Sequence, residues 1–324
     1  MNPIQFAARV LLATLAIASF PVSGQTYPSR AVRVIEPYPP GGVLDSLVRA
    51  VSQRLQDATG QAFVVENRAG ANGIVGLDAC AKAAPDGYTL CMTTNDSISI
   101  NPHLYTQMPF DPAKDLTPVA PLAWANGIIV AHPSVPASNL RELLALSRQK
   151  AGSVTWGTWG NGSTSHLYLG WINSETKSDL THVPYKGAAP LLQAMLAGEV
   201  SSGLLASGIL MPHLKAGKLK ALAVVGSQRS AALPDTPSLP ENGLDFYVKT
   251  WFGTFAPAGM AAASVQRINS EIARATGDAK FKTQFMAPAG FDPAIMTPAE
   301  FAAFLREDRE SGARLVRAAN IKLD

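Results

Sequence analysis

Two glycine-rich turns, each followed by a helical pattern, are the parts of this sequence best suited to bind a ligand. The first spans Pro39–Asp45 and the second spans Gly157–His166. A helix start offers unpaired N–H groups and about half a positive charge, and glycine lets a ligand approach the backbone closely. The turns therefore predict two anion-binding sites, to which Ser163 and Thr164 add hydroxyl groups. The alternative is that each turn only begins its helix, but a matched pair in two similar half-chains favours binding.

A histidine, an aspartate and a lysine near such turns have two interpretations each. His166 follows the second turn and either contacts the ligand or packs at the helix start. Asp45 lies at the start of the first helix, where we expect it to order the loop, because it would repel an anionic ligand. Lys186 belongs to a third turn, Tyr185-Lys186-Gly187, and either supplies positive charge or is solvated.

Most signatures of catalysis and of nucleic-acid binding are missing from the sequence. It lacks the G-x-S-x-G, H-E-x-x-H, C-x-x-C and P-loop motifs, and the second turn lacks the third glycine of the dinucleotide motif. The 5 histidines have no metal-ligand spacing, and the 2 cysteines alone cannot form a four-ligand zinc site. The net charge is +3 and Lys and Arg form no long run, which disfavours nucleic acid as a partner. We therefore expect no cofactor and no metal.

Short strand-like and helix-like segments alternate along the chain and position the two turns. A chain of 324 residues with 47% hydrophobic residues is long enough for two domains with cores of their own. Strand patterns at Val32–Glu36 and Thr155–Gly157 each run into one of the turns. The alternation predicts an α/β fold of two lobes, with mostly parallel sheets flanked by helices. Ligands bind beyond the carboxyl ends of such strands, so the two turns are expected to face each other across a cleft.

The lobe boundaries follow from the point where the pattern restarts and from a late return strand at Trp251–Ala256. Lobe 1 is predicted to comprise residues 25–126 plus 249–324, and lobe 2 residues 127–248. The crossovers near Asn126 and Lys249 are expected to act as hinges when the lobes close.

The N-terminus has the features of an export signal rather than of a folded segment. Residues 1–24 contain one basic residue, Arg9, an apolar run over Val10–Phe20 and a small-residue end at Gly24, near which cleavage is expected. A short membrane anchor is the alternative, although the run is short for about 30 Å of hydrocarbon. Export leads to an oxidising compartment, where Cys80 and Cys91 either pair or remain two small buried residues.

A series of short motifs, in order along nearly all of the mature chain, resembles the Bug family, the TctC-like solute-binding subunits of tripartite tricarboxylate transporters. The motifs are Tyr27-Pro28-Ser29-Arg30, Pro37-x-x-x-Gly41-Gly42-x-x-Asp45, Val65-Glu66-Asn67-Arg68-x-Gly70-Ala71-x-Gly73, Pro85-Asp86-Gly87-Tyr88-Thr89-Leu90, Gly160-Asn161-Gly162-Ser163-x-x-His166, His182-Val183-Pro184-Tyr185-Lys186-Gly187, Ala216-Gly217-Lys218-Leu219, Leu233-Pro234-Asp235-Thr236-Pro237 and Trp251-Phe252-Gly253. No single motif is specific, whereas the ordered set is.

The resemblance implies a periplasmic protein of the two-lobed Venus-flytrap type, similar to type II binding proteins, without catalytic residues. Such a protein captures a small carboxylate and delivers it to the permease subunits of a tripartite tricarboxylate transporter. We expect it to act as a monomer. The expected ligand-binding residues lie in the three turns: Tyr38, Pro40, Gly41, Gly42, Asp45, Thr158, Trp159, Gly160, Asn161, Gly162, Ser163, Thr164, His166, Tyr185 and Lys186.

Two departures from the family pattern concern the ligand. Leu205 replaces the second acid of the family's G-x-V-D-L-M-F-D segment, and Trp159 stands where relatives usually carry a small residue. Both changes make the site less acidic and more aromatic, which favours a dicarboxylate or an aromatic acid over an amino acid. Trp159 would stack on an aromatic ligand or form a hydrophobic wall under the loop. The competing hypothesis is a secreted α/β hydrolase or isomerase that uses His166 with Asp45 or Lys186.

Overall fold

A computed structural model describes residues 27–230 and 232–323. The expected signal peptide, residues 1–24, lies outside the described residues. The described chain forms two mixed sheets with helices packed on them. None of the helices in these ranges has both the length and the apolar character of a membrane span.

The strands divide between the two sheets according to their place in the chain. They are β1 (Val32–Glu36), β2 (Phe63–Asn67), β3 (Thr89–Thr94), β4 (Leu116–Ala125), β5 (Gly127–Ala131), β6 (Thr155–Thr158), β7 (Thr181–Pro184), β8 (Ser202–Ala206), β9 (Lys220–Val225), β10 (Thr250–Pro257) and β11 (Phe291–Pro293). The first sheet has the order β11-β4-β10-β3-β1-β2, and the second has the order β7-β6-β8-β5-β9.

The helices connect the strands and cover the sheets. They are α1 (Val43–Thr59), α2 (Ile74–Ala81), α3 (Asn101–Leu104), α4 (Leu140–Gln149), α5 (Thr164–Thr176), α6 (Ala188–Leu196), α7 (Ser207–Lys215), α8 (Ala262–Gly277), α9 (Ala279–Phe281) and α10 (Pro298–Ala319). The apolar face of α1 is buried, and the helix ends at Gly60, whose φ of 72° suits glycine. A capping box of Thr297 and Glu300 fixes the start of α10. A π-helical turn, Asp96–Ile100, follows β3 and leads into α3.

The structure has the predicted two-lobed α/β architecture, with one correction: the sheets are mixed rather than mostly parallel. β1 is parallel to β2 and β3, and β6 is parallel to β7 and β8. However, β10 is antiparallel to β3 and β4, and β5 is antiparallel to β8 and β9. Both β5 and β10 enter their sheet from the other one, so they begin at the edge where their neighbours end. Strand–helix alternation predicts parallel pairing only for strands that are connected within one lobe.

Packing across the predicted lobe boundary involves the last helix, together with Ile100 and Leu104, which join the core of the second sheet. The first sheet draws its strands from residues 32–125 and 250–293, and the second from residues 127–225. In α10, Phe301 and Leu305 pack in the core with Trp251, whereas Leu315 and Val316 pack with the core of the second sheet. The strands alone agree with the predicted division of the chain, but α10 belongs to both cores, and the boundaries stay a prediction.

Cys80 and Cys91, for which the sequence left two alternatives open, are joined by a disulfide. Their Cα atoms are 6.1 Å apart, and both residues are fully buried. The bond ties α2 to β3. Because β3 ends at Thr94, just before the π-helical turn, the disulfide holds the strand that presents this turn.

Candidate functional site

A cavity of about 120 Å³ lies between the two sheets, where β1, β3 and β8 end. Residues from both sides line it, including Tyr38 next to the first sheet and Leu205 in the second. Most of the wall is apolar, and its acidic groups are the carboxyl side chains of Glu36, Asp45 and Asp96. No Lys, Arg or His side chain is present among the described residues of the wall. An anionic ligand would therefore depend on backbone N–H groups and other uncharged donors.

The first glycine-rich turn opens onto the cavity at the start of α1. Gly42, at the N-terminal end of α1, and the residues of its first turn line the wall, and no side chain caps the helix. The carboxylate of Asp45 accepts bonds from the Gly41 N–H (3.0 Å), from Asn67 (3.0 Å) and from Arg49 (3.0 Å). Burial opposes its ionisation, but these bonds, that of Arg49 foremost, hold the pKa of Asp45 below its ordinary value. Asp45 therefore orders the loop around the open helix start.

The start of α5, at the second turn, is occupied by a carboxylate of the protein itself. Asp96 is only 3% exposed. Its Oδ2 accepts hydrogen bonds from the Thr164 N–H (3.3 Å) and from Trp159 Nε1 (3.2 Å), and its Oδ1 accepts one from the Thr164 hydroxyl. Burial raises the pKa of Asp96. A carboxylate at this helix start is favourable, but it comes from the first sheet's side and not from a ligand.

The rest of the second turn makes contacts inside the protein and does not line the cavity. The Ser163 hydroxyl donates to the Gly160 carbonyl (2.7 Å) and accepts from the His166 N–H (3.3 Å). Gly162 has a φ of 76°, and a Cβ there would lie 2.6 Å from a Leu104 side-chain carbon. The glycine at this position is thus required for close packing. Of this turn, only Trp159 lines the cavity, and the ligand contacts predicted for Thr158, Gly160, Asn161, Gly162, Ser163, Thr164 and His166 stay predictions.

The imidazole of His166 stacks on that of His182, with ring centroids 3.9 Å apart. His166 Nδ1 accepts the Gly162 N–H (3.1 Å), and His182 Nε2 bonds the Thr158 hydroxyl (2.8 Å). Burial, together with His182, lowers the pKa of His166 to about 4. The residue is therefore a neutral packing group at the start of α5. His166 does not line the cavity, whereas a general base would have to lie in the cavity wall to reach a substrate.

The third turn contributes a second open helix start. Gly187 and Ala188, at the start of α6, line the cavity, and α6 has no side-chain cap. The Gly187 N–H donates to the Trp159 carbonyl (3.1 Å), which joins the second and third turns. Tyr185 and Lys186, the predicted site residues of this turn, are absent from the described wall, as are Pro40 and Gly41 of the first turn.

Sequence reasoning missed two carboxyl groups of the wall. Glu36 ends β1, and an acidic residue at the carboxyl end of a strand, directly before the proline-rich turn, is a signal that could have identified it. Asp96 follows β3 in the segment Thr93-Thr94-Asn95-Asp96, at the same edge of the sheet as the first turn. Its position at the carboxyl end of a strand was available from the sequence, but its partner in the other half was not.

A family model, a curated relative and solved structures each match most of this chain. Residues 47–321 match the model of the tripartite tricarboxylate transporter family receptor. BugT of Bordetella pertussis is 33% identical over 316 residues, which cover 97% of this chain and 96% of that protein. Rpa4515 of R. palustris, solved with adipate, is 29% identical with a TM-score of 0.86, covering 91% of this chain and 99% of that one. MatC of Rhodopseudomonas palustris, solved with bound malate, is 29% identical with a TM-score of 0.83, covering 90% and 100%.

These matches decide between the two classes of function that the sequence left open. The family model is that of a transporter receptor and the structural neighbours include a periplasmic binding protein, BugD, so the enzyme hypothesis is wrong. The structure agrees, because His166 stacks on another histidine outside the described cavity wall. On the combined evidence of fold, cavity and sequence, the chain belongs to the tripartite tricarboxylate transporter receptor family.

Proposed function

We propose that the protein binds a small carboxylate in the cavity between its two sheets, held by the helix starts of α1 and α6. The observation that carries this proposal is that helix starts without side-chain caps line one cavity: besides Ala206, which precedes α7, these are the starts of α1 and α6. They come from the two halves of the chain, and each offers unpaired N–H groups and about half a positive charge. Hydrogen bonds to a charged acceptor are worth about 1.5–3 kcal/mol each, so two or three of them support micromolar binding, about −8 kcal/mol.

A dicarboxylate is the ligand class that the comparisons favour. Rpa4515 was solved with adipate and MatC with malate, and both superpose on most of this chain. An aromatic acid is the second candidate, because Trp159 lines the cavity and is only partly buried. The proposed contacts are Tyr38, Gly42, Trp159, Gly187 and Ala188, with Asp45 ordering the loop.

The first experiment is a thermal-shift titration of the purified mature protein at pH 7. Malate, adipate and benzoate are each compared with the corresponding uncharged amide. A ligand that binds the native state raises the melting temperature, so at least one acid is expected to raise it while its amide does not. Equal shifts with acids and amides, or no shift with any acid, would contradict carboxylate binding.

Two Trp159 variants separate the aromatic ligand from the aliphatic one. Trp159→Phe keeps an aromatic ring but removes the Nε1 bond to Asp96, whereas Trp159→Ala removes both. If the ring stacks on the ligand, the alanine variant loses more affinity for benzoate than for adipate, and the phenylalanine variant does not. Equal losses for both acids would leave Trp159 as a hydrophobic wall.

We further propose that the protein acts in the periplasm after cleavage near Gly24 and delivers its ligand to a membrane permease. The export signal in residues 1–24 and the family match support this. N-terminal sequencing of the exported protein tests the cleavage. Spheroplasts of the producing cell are expected to lose uptake of the bound acid when the receptor is washed out, and to regain it when the purified protein is added. Uptake that does not depend on the receptor would contradict delivery.

The proposed lobes, residues 25–126 plus 249–324 and residues 127–248, close on the ligand. Asn126 lies between β4 and β5, and its side chain donates to Asp292 (3.1 Å). Lys249 directly precedes β10. Small-angle scattering is expected to give a smaller radius of gyration for the protein with bound ligand, and an unchanged radius at saturation would refute closure.

A further inference from the structure

Glu36 carries a buried oxygen atom that has no hydrogen-bond partner in the part of the chain that the structure describes. The side chain ends β1, lines the cavity and has no exposed surface. Its Oε2 accepts a hydrogen bond from the Asn67 amide, whereas its Oε1 has no hydrogen-bond partner among the described residues. A buried polar atom without a partner destabilises the folded state, and native proteins contain few of them. Oε1 is therefore a group for which a ligand would be the missing partner.

The charges around Glu36 do not supply a cation for it. Asp45 and Arg49 on α1 form an ion pair with each other (3.0 Å). Tyr38, in the following loop, is neutral because burial raises the pKa of its hydroxyl far above its ordinary value. Asp96, after β3, faces the start of α5 with both oxygens engaged. Glu36 thus lies among two carboxylates and one guanidinium that is already paired.

We propose that Glu36 holds a proton on Oε1 and donates it as a hydrogen bond to a second carboxylate group of the ligand. This rests on the proposed function, in which the helix starts of α1 and α6 hold the first carboxylate. Oε2 already accepts the Asn67 N–H, so Oε1 is the oxygen that is left to carry the hydroxyl hydrogen. No covalent bond is made or broken, and one proton is shared between two carboxyl oxygens. The residue selects dicarboxylates over monocarboxylates without a cationic side chain.

The ionisation of Glu36 has the direction that this role requires. Burial is the main cause, and together with the negative charge of Asp45 it raises the pKa of Glu36 to about 8, against the opposing effects of the Asn67 amide, the Tyr38 backbone N–H and Arg49. At pH 7 an arriving dicarboxylate therefore meets a hydrogen-bond donor. Above pH 8 binding must first take up a proton, so affinity is expected to fall about tenfold per pH unit. An ionised Glu36 that accepts an ammonium group of the ligand would give the opposite preference.

The test compares Glu36→Gln with Glu36→Met by titration calorimetry of adipate, malate and aspartate from pH 6.5 to 9.5. Glutamine keeps an uncharged donor, so at pH 7 its affinity for the dicarboxylates is expected within about threefold of wild type, without the loss above pH 8. Methionine has no donor and is expected to lose about tenfold to a hundredfold, the range of one hydrogen bond to a charged group. Hexanoate, which has one carboxylate, should bind both variants equally. Glu66→Gln, on the neighbouring strand β2, is the matched control and should behave as wild type.

The number of protons taken up on binding distinguishes a donor role of Glu36 from a merely structural one, because a structural role would not change that number. Titrations at pH 9 in buffers of different ionisation enthalpy should show uptake of nearly one proton by wild type and none by Glu36→Gln. Equal losses in the glutamine and methionine variants, or aspartate bound more tightly than malate with that preference lost in Glu36→Gln, would overturn the inference. Failure of the wild-type protein to bind any of the acids would instead refute the proposed function, and the inference with it.

Discussion

Replacing Asp96 separates the charge of a buried carboxylate from the hydrogen bonds that it accepts. Asp96 lies on the π-helical turn after β3 and bonds to Trp159 and Thr164 of the other half of the chain. Asparagine can satisfy the same donors, because its Oδ1 faces the two N–H groups while its Nδ2 faces the Thr164 hydroxyl, which can rotate to accept. Alanine removes every acceptor. The two variants therefore answer different questions about the same contact.

The magnitudes follow from the number of donors left without a partner. In Asp96→Ala, the Trp159 Nε1–H, the Thr164 N–H and the Thr164 hydroxyl lose their acceptor, and a buried unsatisfied donor costs about 1–3 kcal/mol. Water that enters from the cavity offsets part of this, so we expect a loss of about 2–4 kcal/mol in the free energy of unfolding. Asp96→Asn is expected within about 1 kcal/mol of wild type, since it loses charge-assisted bonds but also the penalty of burying a charge without a cation.

The pH dependence of the asparagine variant has a definite sign. Burial raises the pKa of Asp96 in the folded protein above its unfolded value. Its contribution to stability is therefore fully present at low pH and is lost as the pH rises through the folded pKa. The wild-type protein should lose stability relative to Asp96→Asn with rising pH, and the two should converge in acid.

Urea unfolding followed by tryptophan fluorescence at several pH values measures these differences. Asp57→Asn and Asp57→Ala are the matched controls, because Asp57 is exposed and accepts a hydrogen bond from Gln53 on its own helix. Both are expected within about 0.5 kcal/mol of wild type. An alanine variant as stable as wild type would refute the contact between the halves. An asparagine variant as unstable as the alanine variant would show that the charge, and not the set of hydrogen bonds, carries the stability.

Three further changes test other parts of the structure. The double variant Cys80→Ser with Cys91→Ser removes the disulfide and should have a free energy of unfolding about 2–3 kcal/mol lower than wild type. An unchanged midpoint of urea unfolding would contradict this. His166, stacked on His182, has a pKa of about 4 in the folded protein, so its contribution to stability is present above pH 6.5 and is lost as the pH falls through 4. The variant His166→Gln should therefore lose up to about 2 kcal/mol less stability than wild type on acidification, a value discounted for the partial exposure of His166, as urea unfolding at several pH values measures. Trp251→Phe removes the Nε1 bond to buried Asp308 (2.7 Å) and should cost about 1–3 kcal/mol in urea unfolding, whereas a phenylalanine variant with wild-type stability would refute that bond's importance.

Strands and helices of this fold were predictable where the local sequence pattern alone determines the element. The strand Val32–Glu36 has its predicted bounds, and β10 extends the predicted Trp251–Ala256 by one residue at each end. The direction of β10 was not predictable from local pattern, because it depends on entering the first sheet from the second. The three-residue strand Phe291–Pro293 is too short to show a period.

The candidate site shows the same division between local and distant information. The first turn places Gly42 and Tyr38 on the cavity, as expected from a strand that ends in a glycine-rich helix start. The second turn has the same local chemistry, but the start of α5 receives Asp96. Nothing in the turn itself indicates which group will fill it. A helix start predicts that an acceptor will be bound, and only the tertiary fold decides whether the acceptor is a ligand or a side chain.

The two similar turns therefore have different tasks, and the proposed site draws on other helix starts of the second half. With α5 engaged by Asp96, the second half presents to the cavity the start of α6, at Gly187 and Ala188, and that of α7, at Ala206, where the next N–H, that of Ser207, already donates to the Asn126 carbonyl. The Gly187 N–H donates to the Trp159 carbonyl, so the contact between the halves and the open helix start are held by adjoining backbone. A ligand bound at the starts of α1 and α6 would then contact the same loops that Asp96 joins. Different groups bind the ligand and join the two halves, but the same loops hold both sets of groups. In this arrangement a bound small carboxylate can favour the closed form.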